Sequence, residues 1–510
     1  MDPRTPVIIG VGQLTDTTTP PDTARSPRGL MVAAARLAAA DAGIAAAALA
    51  ALDSITVIRL FSDTVPSMRS PFGAMANAPW SVARQLGATP RDLVYPPQGG
   101  DTPQTMLSRA CTRIAAGESE LALVVGAEAL RTELAARRAG LALDWHEDAP
   151  APPEELGGAS RLFTPAEEAH GMRSAICMYA LFEQAIRAAR GETAEQRRTA
   201  LGAMYAGFAA VARDNPLATR REGFDAAAIT AVSKANPTVG FPYTKLMTAN
   251  MYVDQAAALL VATTAQADAL GVPRERRVYL HASAGAHDPW FVTERAALHR
   301  SPAIRGVVAA TLAAAGVALD DIAAFDIYSC FPSAVQVACD EIGLAVDDPR
   351  GLTVTGGLSF FGGPGNNYVT HAIAEMVQRL RAMPARHGLV TANGGLLTKH
   401  AAGLYSALPP RQPFADCDTT ALQAEIEALP KRLPAAQASG RGVVESWTVV
   451  NGRNGRERGI VLGRLLASGE RFIANTPDDA ATLARLEGED ALGLPGMLAP
   501  GAPANLFTPD

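Results

Sequence analysis

Short apolar runs that stop at glycine or another small residue, each coupled to a helical pattern, recur along most of this 510-residue chain. A run of four to eight apolar residues without polar alternation is a strand buried on both faces. Such strands alternating with helices make a largely parallel, covered sheet. Residues 7–12, 55–58, 92–95 and 121–125 read as strands, and 29–43, 79–87 and 102–116 as helices. The second half repeats the grammar, with strands at 278–280, 325–328 and 389–391 and helices at 303–315, 332–342 and 368–383. The expected class is α/β.

One plan occurs twice. Gly99-Gly100-Asp101 opens a helix that leads to a strand and a small-residue turn, Gly126-Ala127-Glu128; Gly362-Gly363-Pro364 opens a helix and strand that close on Asn393-Gly394-Gly395. This implies duplication and a pseudo-two-fold pair of sheets. A helix N-terminus presents unpaired N–H groups and partial positive charge, and glycine lets a ligand oxygen approach them. Such turns serve as oxyanion holes or phosphate cradles. Turn sterics alone also accounts for glycine there, and neither turn matches GxGxxG or carries a P-loop lysine.

Between the halves, 131–234 reads as a helical insertion ended by the proline-rich stretch 236–242, and 252–261 as a helix. From about 414 the texture becomes β: a hairpin of 445–450 and 459–462 around a turn at 451–455, a strand at 471–474, and a loose tail at 497–510. A net charge of −6 with 19% charged residues gives no general attraction for nucleic acid or anionic membrane. Arg197-Arg198 and Arg220-Arg221 read as solvated helix ends or, with less weight, contacts to a phosphorylated ligand. No apolar run reaches the ~18 residues of a membrane span. The start, MDPRTPVIIGVGQ, lacks a basic region followed by an apolar stretch, so a cytoplasmic protein is expected. Five cysteines without a CxxC pair argue against a disulfide framework and a structural zinc site.

Five segments in order resemble the thiolase superfamily, closest to its sterol-carrier-protein-2-like branch and the type 1 thiolase-like proteins, over roughly residues 5–408. Residues 117–128, ending in Gly126-Ala127-Glu128, are similar to the family's helix end, strand and GxE turn. Residues 250–260 resemble the return from its loop domain. Asp326-Ile327-Tyr328-Ser329-Cys330-Phe331 sits at the NEAF or HDCF motif, Gly362-Gly363-Pro364 at GHP, and Asn393-Gly394-Gly395 at CxG. The β unit beyond about 410 resembles the extra domain of the type 1 proteins. The resemblance implies a layered αβαβα thiolase fold: an N-terminal half of 1–126 with 236–270, a helical loop domain of 127–235, a C-terminal half of 271–408 and an added β domain of 409–510. It implies coenzyme A or acyl-CoA as substrate or ligand, with no tightly bound cofactor, a role in fatty-acid metabolism, and a monomer or homodimer.

Thiolase chemistry needs a cysteine thiolate, an activating histidine, a second cysteine for the α-proton and donors for two oxyanions. The matching positions here are Gly100, give or take one residue, then Gly363, Asn393 and Tyr328. A cysteinyl acyl-enzyme is therefore not expected, while the anion-binding glycines Gly99, Gly100, Gly362, Gly363, Gly394 and Gly395 remain. Four residues are candidates for chemistry. Cys330 is a displaced nucleophile or a packed thiol. Tyr328 is an oxyanion donor, a base with lowered pKa, or plain packing. His400, after the glycine turn with Lys399, is an acid–base candidate, and Asn393 replaces a cysteine. Asp101, Gln104, Asn366 and Asn367 read as first-turn or capping residues, or as polar groups at the emptied site. His371 is expected behind the site, and His287-Asp288-Pro289-Trp290 at its rim. Three functions follow: carbon–carbon or acyl-transfer chemistry on a CoA thioester without a covalent cysteine, non-catalytic acyl-CoA binding, or an interaction subunit docking through the β domain.

Overall fold

The computed structural model describes residues 2–64, 66–157, 161–435, 438–488 and 490–510. Its strands in chain order begin with β1 (Pro6–Thr15), β2 (Ser54–Val57), β3 (Asp92–Tyr95), β4 (Leu121–Ala129) and β5 (Glu154–Glu155). Next come β6 (Thr238–Gly240), β7 (Tyr243–Thr244), β8 (Asp254–Thr263), β9 (Tyr279–His287), β10 (Ile322–Asp326), β11 (His387–Gly394), β12 (Lys399–Ser406) and β13 (Ala415–Asp416). The last are β14 (Gly440–Gly452), β15 (Gly455–Leu465), β16 (Arg471–Asn475), β17 (Pro495–Ala499) and β18 (Leu506–Pro509).

The first sheet runs β1-β8-β4-β2-β3-β5 and the second β10-β11-β12-β9-β13. A backbone bridge between Ile8 and Val278 ties them together. The helices Thr102–Ala115 and Tyr368–Ala382 touch strands of both sheets and each other, so they form a central layer. Pro27–Ala42 packs outside the first sheet and Pro302–Ala315 outside the second, giving five αβαβα layers. Among the described residues no helix is long and apolar enough to cross a membrane.

Three expectations change. Residues 252–261 are not a helix: β8 is a central strand, buried at all ten positions and antiparallel to both β1 and β4. Alanine is the best helix former, but propensity is a weak prior that tertiary context overrides, and a continuous apolar run fits either element. Two flanking strands needing partners decide it. The small residues Gly126-Ala127-Glu128 and Asn393-Gly394 are not turns but the ends of β4 and β11. The C-terminal stretch is not a loose tail, because β17 and β18 complete a closed ring, β14-β15-β16-β18-β17, with β17 returning to β14. The hairpin and the 471–474 strand are where the sequence puts them.

The added domain is rooted in its neighbours. The pair β6–β7, expected with the N-terminal half, extends this third sheet through Gly240 and Val450, while β8 enters the first sheet. Arg187, buried on the loop-domain helix Ala175–Arg190, makes a bidentate pair with Asp490 at 2.6 and 2.8 Å and stacks over Trp447. Two short strands cap sheet edges. β5 pairs with the outer strand β3, and β13 pairs with β9.

Where the halves meet, His371 is fully buried. Its Nδ1–H donates to Gln13 Oε1 on β1 at 2.7 Å, and Nε2 has no partner. Burial pushes its pKa down to about 3, so the unfolded chain takes up a proton near pH 6.5 and the folded chain does not. Stability is therefore full above pH 6.5 and falls by about 1.4 kcal/mol per pH unit below it, until the folded value is reached. Urea midpoints measured from pH 7.5 to 5 should decline. His371→Gln should flatten that decline, and an equally steep profile in the variant would assign it to other groups.

Candidate functional site

The two halves cross at their glycine turns. Gly126 and Glu128, at the end of β4, face the second half's turn: a Cβ at Gly126 would overlap the Asn367 amide, and one at Gly365 the Glu128 carboxyl. Asn393 and Gly394, at the end of β11, face the first half's turn. A Cβ at Gly100 would overlap the Tyr328 hydroxyl and lie 2.6 Å from the Asn393 carbonyl oxygen. One at Gly394 would overlap Asp101. Gly99, with φ of 149°, leaves the same space to Asp101 and Lys399. These glycines are required by the chain's own polar side chains.

The first turn is tied across. Asn366 does not cap its helix; its Oδ1 accepts from Gly99 N–H at 3.0 Å and its Nδ2 donates to the Arg59 carbonyl at 2.8 Å. Lys399 Nζ lies 3.0 Å from Asp101 Oδ1 and donates to the Gln98 carbonyl at 2.5 Å. Gln104 points away, to Ser283 and Tyr405. Gly362 and Gly363 lie off the pocket, against Gln255 in one case and Ala249 and Leu358 in the other. Gly395, with φ of 69°, turns the chain towards β12.

Strand parity separates Lys399 from His400, because adjacent residues of a strand face opposite sides. Lys399 joins the glycine turn. His400 sits beside its cross-strand partner Asn393, with Nε2 3.2 Å from Asp288 Oδ2. Asp288 also accepts from Ala303 N–H at 3.1 Å and from the Ser301 hydroxyl at the start of Pro302–Ala315. Burial raises the Asp288 pKa, but His400, Arg295 and Ser301 outweigh it and hold the carboxyl below the usual range. His400, Tyr328 and Asn393 line a small cavity walled by Ile304, Val307 and Val308, with about 10 Å³ open to water, the space of a single molecule.

Asn393 Nδ2 donates to the Tyr179 hydroxyl at 2.9 Å and lies 3.9 Å from Cys330 Sγ, while its Oδ1 is buried without a partner. Tyr179 stacks on Phe331 and also accepts from Leu397 N–H at 2.9 Å. Burial pushes the Cys330 thiol up to about 12. Burial, with Cys330 and Asp101 nearby, raises the Tyr328 phenol well above its ordinary value. At neutral pH Tyr328 is therefore a hydrogen-bond donor rather than a base, and Cys330 is a thiol rather than a thiolate.

A family profile described as the thiolase-like protein type 1 additional C-terminal domain matches residues 421–500. Over 99% of both chains, at 36% identity and a TM-score of 0.84, the protein is similar to a monomeric SCP2-thiolase like protein type 1 from Mycobacterium smegmatis. The chain belongs to the type 1 SCP2-thiolase-like proteins. More distant solved structures show the shared fold alone. An acetyl-CoA acetyltransferase from Syntrophomonas wolfei is 15% identical with a TM-score of 0.55, over 79% of this chain and 99% of that one. An Ltp2-ChsH2(DUF35) aldolase is 18% identical with a TM-score of 0.54, over 80% and 98%. Both are covered almost entirely while a fifth of this type 1 chain is left over, as an added domain requires. Curated proteins give no sequence match.

In this type 1 protein the sequence motifs lead to Gly100, Tyr328, Asn393 and Cys330, and these do converge. Tyr179 is the residue that motif reading missed, because a tyrosine inside the apolar run Ile176–Phe182 carries no signal of its own. The opposite orientations of Lys399 and His400 were readable from strand parity once β12 was recognised. Gly100→Ala is expected to destabilise the fold by about 1–3 kcal/mol through overpacking. Adding Tyr328→Phe should recover part of that loss in a chemical-denaturation cycle, and an unchanged midpoint for Gly100→Ala would mean the site is more open than this geometry.

Proposed function

We propose that this protein binds an acyl-CoA thioester without forming an acyl-enzyme. One observation carries the reading. At Gly100, which the family resemblance matches to the thiolase nucleophile give or take one residue, the side-chain space is taken by the Tyr328 hydroxyl and the Asn393 carbonyl. The nearby thiol, Cys330, is held protonated by burial. The groups at the glycine turn are the start of Thr102–Ala115, the Tyr328 phenol and the Lys399 ammonium, which Asp101 and the Gln98 carbonyl hold in place; the phenol and the ammonium are donors suited to carbonyl and phosphate oxygens. The reading carries with it a role in fatty-acid metabolism in the cytoplasm.

A second reading is carbon–carbon bond cleavage or formation on the bound thioester, with Tyr328 donating to an enolate oxygen. Its support is the placement of Tyr328 against the glycine turn and the fold shared with an aldolase. The protein is also proposed to be monomeric, since β5 occupies the edge of β3 and β13 that of β9, and its 36%-identical relative is described as monomeric.

Native and denaturing mass spectra after incubation with acetyl-CoA and acetoacetyl-CoA test the main reading. A non-covalent complex with no mass added after denaturation is expected, weakened about tenfold by Lys399→Met. An acyl adduct on Cys330 would overturn the reading, and absence of any complex would remove acyl-CoA as the ligand. Release of free CoA thiol or a shortened acyl product, lost in Tyr328→Phe, would establish the second reading. Light scattering should return a single-chain mass.

A further inference from the structure

Two buried arginines join the added domain to the turn that presents Asn393 and Lys399. Arg295, 3% exposed, spends its guanidinium on one stretch of backbone. Nη1 donates to the Leu397 carbonyl at 2.7 Å, and Nη2 to the Leu396 carbonyl at 3.1 Å and to Thr398 Oγ1 at 2.8 Å. Nε donates to the Pro289 carbonyl at 2.9 Å. The turn needs holding, because Leu397 has a φ of 53°, a left-handed conformation unfavourable for a residue with a branched side chain.

Arg471, on β16 of the added domain, reaches the other side of Arg295. It is 4% exposed. Its Nη1 donates to the carbonyls of Thr293 at 3.0 Å and Arg295 at 2.5 Å, and Nη2 lies 3.5 Å from the Ala296 carbonyl. The same short segment is fixed by Glu167, whose Oε1 accepts from Thr293 N–H and its hydroxyl at 3.1 and 2.9 Å. It is also fixed by Arg432 N–H, which donates to the Glu294 carbonyl at 2.8 Å. A buried cation is costly unless its donors are satisfied. Here the two terminal nitrogens are satisfied by carbonyls of the segment that carries Arg295, while the buried Nε has no hydrogen-bond partner.

We infer that the added domain braces the candidate site, with Arg471 a positioning residue that fixes Arg295 and, through it, the Leu396–Thr398 turn between Asn393 and Lys399. The inference goes beyond the acyl-CoA reading and stands independently of it, since the brace is tested with no ligand present. The turn's amides supply the readout. Leu396 N–H donates to Thr398 Oγ1 at 3.3 Å, Leu397 N–H to Tyr179 at 2.9 Å, and Thr398 N–H to the Gly394 carbonyl at 3.3 Å. All three should be protected from hydrogen exchange.

Hydrogen-exchange mass spectrometry on the full-length chain decides the matter. Arg471→Met should speed exchange of the 394–399 amides at least tenfold. Arg187→Met, which cuts the domain's separate anchor to Asp490, should leave them at the wild-type rate. Arg471→Lys keeps the charge and part of the donor set. It should give an intermediate rate, and it carries the test alone if Arg471→Met does not fold. Unchanged exchange at 394–399 in the Arg471 variants would overturn the inference. So would equal opening in Arg187→Met, which would mean general loosening of the domain rather than a brace.

Discussion

The crossed packing of two glycine turns against two strand ends governs this molecule. Each half ends a central strand on small residues, and each of those ends faces the other half's turn. Gly126 and Glu128 meet Gly365 and Asn367; Asn393 and Gly394 meet Gly100 and Asp101. Protein interiors are close-packed, so a Cβ added at any of these glycines has nowhere to go. The halves must therefore dock in one register, with the helices Thr102–Ala115 and Tyr368–Ala382 between the sheets. The same contact that fixes the fold thereby builds the site.

The site is consequently filled by the chain itself. Lys399 and Asp101 occupy the space beside Gly99, and Tyr328 that above Gly100. Desolvation then sets the chemistry of what remains. It keeps Tyr328 and Cys330 protonated, whereas Asp288 stays ionised because His400, Arg295 and Ser301 stabilise its charge more than burial penalises it. The buried pair of His400 with Asp288 lies on the other face of β12.

The added domain is not an appendage on a linker. Its closed ring of strands extends into β6 and β7, its Asp490 holds the buried Arg187, and Arg471 reaches the segment that anchors the Leu396–Thr398 turn. The short strands β5 and β13 cover two sheet edges from within the chain. Exposed edges invite pairing with another copy, and covering them removes that template.

The sequence by itself determined the α/β class, the duplicated plan and the β hairpin of the C-terminal unit, and its motif order led to Gly100, Tyr328, Asn393 and Cys330. Those follow from local period, glycine punctuation and motif order, all of which are written along the chain. Only the tertiary structure decided that 254–263 is a strand, that 495–509 closes a ring of strands, that Lys399 rather than His400 joins the glycine turn, and that Tyr179 and Arg295 hold the site together. The reason is physical. A continuous apolar run does not say which element it forms until its neighbours demand hydrogen bonds, and a side chain's partners depend on which face of a strand it takes and what packs there. A glycine likewise does not say whether its missing side chain leaves room for a ligand or for the protein's own tyrosine.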